Sequence, residues 1–419
     1  VNPEDSNPHR LRIEKLVPGG LGLARLPDGR IALVRGALPG ELVEANLRTY
    51  KGKLDGTVSR VLEPNEHRVD VPRSSPPTMD LAHADYATQL EIKRGFVLDA
   101  LKRIGKIEAD VLPTHPSPQE WRYRNGAQYL VTPKGLAYRR PGSNDPFIVR
   151  EDPLVTELIA DGIADLDPEM LEPATEIAFR ASLETGEVLA CLIGLGKPRD
   201  YFNAREHLRE LGVLGVDFAF ASLEGRFREG FTHLWGQERI LERYGDHLLS
   251  VNAASFAQVN PGAASELYRR ATELAGKGSS ALDVYGGAGG LAFHLAPQFE
   301  LVTVLEVNQE AVDRGRADAG RLGLTNVGFI AGDAARMVKL ESDLVALDPP
   351  RAGLSDVALE ALLKLRPKRL LYLSCDPATW ARDVGKLVRD GGYKLEVVEP
   401  WDFYPQTSHV EVLSYLTLE

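Results

Sequence analysis

Two polar residues in the C-terminal third stand directly after short apolar runs. Residues 343–347 (Asp-Leu-Val-Ala-Leu) lead into Asp348-Pro349-Pro350-Arg351, and residues 369–373 (Arg-Leu-Leu-Tyr-Leu) lead into Ser374-Cys375-Asp376-Pro377. Apolar runs of this length that stop at a polar or proline turn read as buried parallel strands. Ligands of open α/β sheets bind beyond the carboxyl ends of the strands. Asp348 and Cys375 are therefore expected at one crevice, where a thiol beside a carboxylate suits nucleophilic chemistry. A lone intracellular cysteine is ordinarily a small core residue. Cys375 differs because it ends a strand and precedes a helix expected to begin near Pro377. A thiol near a helix N-terminus has its thiolate favoured, so Cys375 is expected to be an activated nucleophile.

A second group of residues reads as a cofactor cradle. Residues 281–290 (Ala-Leu-Asp-Val-Tyr-Gly-Gly-Ala-Gly-Gly) form a strand, a glycine-rich turn and the start of a helix. Glycines let backbone approach a ligand, and a helix N-terminus favours polar or anionic groups. A tight strand-to-helix turn explains the same glycines, so the loop alone says little. The next strand ends at Glu306, where a ribose-binding acid belongs, and the third runs into Gly332-Asp333, a candidate contact for an adenine edge. The glycines do not follow the G-x-G-x-x-G dinucleotide fingerprint in its usual setting, so a nicotinamide cofactor is the weaker option. Glu411, in residues 406–411 (Gln-Thr-Ser-His-Val-Glu), reads equally as a solvent-facing strand residue. His409 is given no catalytic role. Gln258 enters the same domain beside Asn260, whose side chain could cap a helix.

Composition sets the frame. The chain has 419 residues, 43% hydrophobic and 26% charged, ordinary values for a soluble globular protein with several domains. No apolar run approaches the roughly 20 residues of a membrane span, and no signal peptide is evident in the residues given. The only cysteines, Cys191 and Cys375, provide neither a disulfide framework nor a cysteine metal cage. A reducing cytoplasm is the expected location. The net charge of −11 argues, as an average, against nucleic acid. One segment runs the other way. Arg122, Arg124, Lys134, Arg139, Arg140 and Arg150 cluster with Asp145 as the only acid between Arg122 and Arg150. From charge alone a solvated face is the plainer reading.

Three regions follow in chain order. Residues 10–63 carry short alternating runs between glycine and proline turns, the pattern of a small β-barrel. Residues 67–80 are turn-rich. Tyr86, Leu90, Ile92, Phe96, Val97, Ala100, Leu101 and Ile104 then recur at helical spacing. From 121 to about 231 strand patterns dominate. From about 260 strands alternate with helices, with strand candidates at 281–285, 301–306, 327–331, 344–347, 370–373, 394–399 and 411–418. The last two have no helix between them and are expected to pair antiparallel.

The motifs 256–260 (Phe-Ala-Gln-Val-Asn), 283–289, 347–353 (Leu-Asp-Pro-Pro-Arg-Ala-Gly), 374–383 and 407–411 occur together and in this order. Jointly they resemble the S-adenosylmethionine-dependent RNA uracil-C5 methyltransferase family, over nearly the whole chain. The resemblance implies an α/β fold. Its catalytic part is a seven-stranded Rossmann-like methyltransferase domain (86–116 and 256–419). The N-terminal unit (1–63) is similar to the TRAM domain, a small OB-like RNA-binding barrel. A mainly antiparallel α+β central RNA-binding domain occupies 64–85 and 117–255. It further implies Cys375 as nucleophile and Glu411 as base, with Asp348 contacting the substrate uracil. Gln258, Tyr285, Gly290, Glu306, Asp333 and Asp348 correspond to contacts with S-adenosyl-L-methionine, and Arg122, Arg124, Arg139 and Arg140 would touch RNA. Many relatives hold an iron–sulfur cluster just before residue 86. Residues 72–79 lack cysteine here, so no cluster and no metal is expected. Asp376 and Trp380 replace the commoner Asn and Leu, and Gly290 stands where many relatives have Asn, leaving only backbone for that contact. The expected substrate is large-subunit ribosomal RNA, from the attached barrel, with the T-loop uridine of tRNA as the alternative. The protein is expected to act as a monomer without an obligate protein partner. A non-catalytic RNA-binding or folding factor, and a nucleotide-cofactor enzyme acting on a small molecule, are the competing classes.

Overall fold

The computed structural model describes residues 8–50, 52–72, 74–143, 145–221 and 230–419. The first seven residues, Lys51, Arg73, Asn144 and residues 222–229 lie outside that set. The N-terminal unit is a closed five-stranded barrel built from His9–Val17, Leu21–Arg25, Ile31–Arg35, Leu42–Tyr50 and Lys53–Glu63. Period-two alternation turns Leu11, Ile13, Ala24, Ala32, Val34, Val43 and Ala45 into its core. The strand Leu21–Arg25 was not among the runs legible in the sequence, because Leu21 and Leu23 flank glycine and alanine. The central sheet has seven strands and is antiparallel except for one parallel pair, Val188–Gly194 with Gly215–Phe220.

The C-terminal sheet also has seven strands: β1 (Gly278–Val284), β2 (Phe299–Glu306), β3 (Val327–Ala331), β4 (Leu344–Leu347), β5 (Arg369–Ser374), β6 (Tyr393–Trp401) and β7 (Glu411–Leu418). Their spatial order is 3-2-1-4-5-7-6. The first five are parallel, and β7 runs antiparallel to both β5 and β6. The switch in strand order lies between β1 and β4, where doubly wound folds open their ligand crevice.

Both faces of this sheet are covered, which is why its strands read as unbroken Val/Leu runs. Ala281, Ala346, Leu371 and Leu373 pack with the helix Pro261–Ala275 and with Ile240, Tyr244, Leu249 and Val251 of the hairpin preceding it. Leu282, Val345, Leu370 and Tyr372 point to the other face. There they meet the helices Asp356–Leu365 and Pro377–Gly391 and the helix Tyr86–Ala100. The Pro377–Gly391 helix has clear start and stop signals. Asp376 caps it, Pro377 opens it, and Gly392 closes it at φ +70°. It buries Trp380, Val384 and Leu387 on one stripe, each contributing about 1.5–3 kcal/mol. The Trp380 indole N–H donates to Ser414 Oγ at 3.0 Å, so its polar edge is satisfied.

The first helical pattern extends less far than its spacing predicts. The α-helix ends at Ala100, and Leu101–Gly105 continue as a wider π-type turn. That change of pitch rotates Ile104 outward, where it is 43% exposed. Among the described residues no helix is long and apolar enough to cross a membrane.

Candidate functional site

The carboxyl ends of β1, β4 and β5 and the start of β7 converge. Val284 of β1 pairs with Leu347 of β4, and the Asp348 amide donates to the Val284 carbonyl at 3.3 Å. Asp348 thus stands beside Tyr285. Ser374 of β5 pairs with Val412 of β7, so continuing the register by one residue sets Cys375 against Glu411. The structure brings Asp348, Cys375 and Glu411 to one place, and their charges act on one another.

Burial shifts all three groups toward their neutral forms. Burial pushes Asp348 up to about 6. Glu411 rises to about 8 through burial and the neighbouring Asp348, against the opposing Arg351. Burial, Glu411 and Asp348 raise the Cys375 thiol to about 11, again against Arg351. This corrects the expectation that the following helix favours the thiolate. The first amides of that helix are already occupied, because Asp376 Oδ1 accepts from Ala378 N (3.0 Å) and Thr379 N (2.9 Å). Burial of the thiol, with the two neighbouring carboxyls, then outweighs what remains of the helix dipole.

A cleft adjoins this group. Gln258, Tyr285, Gly290 and Asp348, four of the expected cofactor contacts, line it together with Asp283 and Arg314. Its floor is the turn after β1, where Tyr285 (φ +62°), Gly287 (φ +55°) and Gly289 (φ +88°) are left-handed. Tyr285 in this conformation is unusual for a bulky residue and marks a functional turn. Glu306 fastens the loop from the next strand end. Its two oxygens accept from Gly287 N (3.1 Å) and Asn308 N (2.7 Å). Asp333, one strand further on, caps the Ala334–Lys339 turn through Ala335 N at 2.8 Å. Neither carboxylate is saturated by these bonds, so both can still accept from a ligand's hydroxyl or amino groups.

The residues present fit a cationic nucleoside cofactor. Asp283 is 1% exposed, lines the cleft, and its Oδ2 makes no hydrogen bond. Burial and the neighbouring Asp348 push its carboxyl up to about 8. A buried carboxyl oxygen without a partner is costly, and a sulfonium or ammonium would supply an opposing charge. Gly315 lets the Gln309–Leu322 helix close on the loop, because a Cβ there would lie 2.8 Å from the Ala288 carbonyl. At Gly290 a Cβ would meet the Tyr268 hydroxyl at 3.0 Å. Tyr268 thus occupies the space that a larger residue at 290 would claim.

Sequence reasoning missed Asp283, Tyr268, Arg314 and Arg351 as site residues. Arg314, 2% exposed, donates to Ser255 Oγ and to the Phe256 carbonyl (3.4 Å). Arg180 donates to Asn125 Oδ1 (2.9 Å) and to the Ala257 carbonyl (3.4 Å). The two guanidiniums hold the segment presenting Gln258, and with it Phe256, which is 78% exposed beside the cleft. Asn260 caps the following helix through Ala263 N (3.1 Å).

The four arginines expected to touch RNA do not form one stripe. Arg124 lies over the Tyr404 ring at 5.9 Å, facing inward. Arg122 donates to the Asp152 carbonyl at 3.0 Å. Arg139 pairs with Glu176 at 3.2 Å, and Arg140 lies over the Phe147 ring at 5.0 Å. Tyr138 acts on Arg124, so its neighbour Arg139 points to the other side of that strand. Linear clustering concealed this division. No group of His, Cys, Asp and Glu among the described residues could hold a metal ion.

Comparison with known proteins gives three findings. The family described as tRNA (uracil-5-)-methyltransferase matches residues 333–418, the stretch carrying Asp348, Cys375 and Glu411. Proteins named as RNA methyltransferases in Halalkalibacterium halodurans and Lactobacillus johnsonii are 32% and 29% identical. Each alignment spans 97% of this chain and 96% or 97% of the relative. Among solved structures, the Pyrococcus abyssi tRNA (uracil-54, C5)-methyltransferase in complex with S-adenosyl-L-homocysteine superposes with a TM-score of 0.76. Sequence identity there is 25%, over 98% of this chain and 100% of the other.

Proposed function

This chain belongs to the S-adenosylmethionine-dependent RNA uracil-C5 methyltransferases, and from that premise we propose that it methylates a uridine through a covalent bond between Cys375 and C6 of the base. The observation that carries the reading is the convergence of Cys375, Glu411 and Asp348 at the mouth of the cofactor cleft.

Uracil C5 is a poor nucleophile. The Cys375 thiol, raised to about 11, first gives its proton to solvent water. Addition of the resulting thiolate to C6 moves the C5=C6 electron pair toward C5 and O4, making C5 electron-rich. Asp348, raised to about 6 by burial, can offer a carboxyl hydrogen to one edge of the base or accept from its N–H. Bound in the cleft lined by Gln258, Tyr285, Gly290 and Asp283, S-adenosylmethionine supplies an electrophilic methyl group. Glu411 then takes the C5 proton. The C5–H electron pair re-forms C5=C6, the C6–S bond breaks, and Cys375 leaves as thiolate. Burial of these groups requires the uridine to leave its stack. Arg124 beside Tyr404, with Phe256, is the inner contact for a flipped nucleotide, while Arg122, Arg139, Arg140 and the barrel contact the RNA further out.

Large-subunit ribosomal RNA is the first substrate reading, on the strength of the barrel. The T-loop uridine of tRNA is the second, and the whole-chain likeness to an archaeal tRNA (uracil-54, C5)-methyltransferase favours it. The test uses ribosomal RNA fragments and a tRNA transcribed with 5-fluorouridine. Fluorine at C5 cannot leave as a proton, so the covalent adduct persists on a denaturing gel. An adduct with wild type and none with Cys375→Ala is the expected result, and the trapped RNA names the substrate. Tight binding without any adduct would refute the nucleophile and favour a binding factor.

A further inference from the structure

Residues 402–410 connect β6 to β7 and end at Glu411. They have no regular structure, yet Asp402, Gln406, Thr407 and Ser408 are buried. Their hydrogen bonds reach a distant part of the chain. Asp80 accepts from the Ser408 amide (2.6 Å) and from Ser408 Oγ (2.7 Å). The Leu81 amide donates to the Gln406 carbonyl at 3.1 Å. Gln89, 1% exposed, accepts from the Gln406 amide and donates to the Gln406 side chain, both at 2.9 Å. Lys93, fully buried, pairs with Asp402 and donates to the Tyr404 carbonyl at 3.0 Å.

Gln406 is held at φ +69°, a left-handed conformation that a non-glycine residue keeps only when its surroundings impose it. Here both its backbone groups and its side chain are gripped from residues 81–89. The grip falls on residues three to nine positions before Glu411, and its hydrogen bonds go to neither Cys375 nor the residues lining the cofactor cleft. We propose that Asp80, Gln89 and Lys93 are positioning residues for Glu411, holding the 402–410 segment in a strained form that sets its carboxylate at the C5 proton. Asp80 and Gln89 act on the last chemical step, transfer of that proton to Glu411 and departure of Cys375 from C6; Lys93, which also fixes Tyr404, bears on base binding as well.

The proposal rests on the assignment of Glu411 as base, and the test separates the two. The RNA is the transcript that wild type traps as a 5-fluorouridine adduct, now made with ordinary uridine. The full chain is mixed with it and methyl-labelled S-adenosylmethionine. Labelled protein–RNA adduct and free methylated RNA are followed over a single turnover. Asp80→Ala is expected to slow release from the adduct about 10- to 100-fold, the cost of misplacing a catalytic group by about 1 Å. Methyl transfer should change far less, so labelled adduct accumulates. Asp80→Asn, which keeps one acceptor, should restore part of the release rate. Equal slowing of both steps, or a wild-type adduct fraction in Asp80→Ala, would overturn the proposal. If Asp80→Ala does not fold, Ser408→Ala, which removes only one of the two bonds, decides by the same ratio. Glu411→Gln is the reference. If it too accumulates no labelled adduct, the base assignment has failed. If it accumulates adduct and the Asp80 and Ser408 variants do not, only the positioning role has failed.

Discussion

Replacing Glu411 by Gln isolates the chemistry of a single proton. The carboxyl is buried beside Asp348 and rises to about 8, so at pH 7 only about one tenth of it is ionised, and at pH 9 about nine tenths. If ionised Glu411 takes the C5 proton, resolution of the methylated adduct in wild type should accelerate about tenfold between pH 7 and pH 9. The Gln side chain cannot accept that proton. Loss of a positioned general base costs about 10²–10⁴-fold, so Glu411→Gln should form and methylate the adduct yet release it slower by that factor, without the pH dependence. The assay is a quenched single-turnover reaction with label in the methyl group, read on a denaturing gel at four pH values. Release by Glu411→Gln at the wild-type rate would refute the reasoning. A wild-type release rate flat across this range would also refute it, because the raised carboxyl would then not be the base.

Further predictions concern the cleft and its charges. Asp283, Asp348 and Glu411 all have raised values in the folded protein. A raised carboxyl gives stability that is present at about pH 4 and lost as pH climbs through the folded value. The melting temperature of the cofactor-free protein should therefore fall between about pH 5 and pH 8.5. Asp283→Asn should flatten that fall and weaken S-adenosylmethionine binding, as calorimetry would record; an unchanged slope would remove Asp283 from the account. Arg351 opposes the upward shifts of both Cys375 and Glu411, so Arg351→Met should move 5-fluorouridine adduct formation to higher pH, and an unmoved profile would deny it that role. Gly315→Ala puts a Cβ 2.3 Å from Phe329 Cε1 and 2.8 Å from the Ala288 carbonyl. That should destabilise the fold by about 1–3 kcal/mol and raise the Kd for the cofactor, with thermal melts and calorimetry as the checks.

The legibility of this chain followed the range of the interactions involved. Strand ends were readable because a buried parallel strand must be apolar and must stop at a turn; Asp348, Cys375, Glu306 and Asp333 stand where those runs stop. The antiparallel β6–β7 pair was readable because too few residues separate them for a helix. Glu411 was different. Alternation alone read equally as a solvent-facing strand residue, and only the joint order of motifs marked it. Asp283 was hidden inside a strand, because pattern cannot tell whether a buried carboxyl has a partner. The arginines at 122, 124, 139 and 140 were adjacent in sequence but alternate around a strand and a turn, so linear clustering overstated their common surface.

The tethers show why the rest could not be read. Asp80 and Ser408 are 328 positions apart, and neither has a spacing that points to the other. Both lie in segments rich in turn residues, which the chain presents as irregular connections. Their surroundings decide the matter: a half-buried carboxylate gains by finding donors, and a buried loop must find partners for its amides. Each meets the other's need. The same physics explains why irregular backbone can carry a catalytic base here. Regular structure fixes side chains through repeated local bonds, whereas residues 402–410 are fixed by bonds to another segment. Their geometry can therefore depart from any helix or strand, even to a left-handed glutamine, and still be held. A base that must reach one hydrogen on one carbon needs that placement, and β7 begins only where it has been achieved.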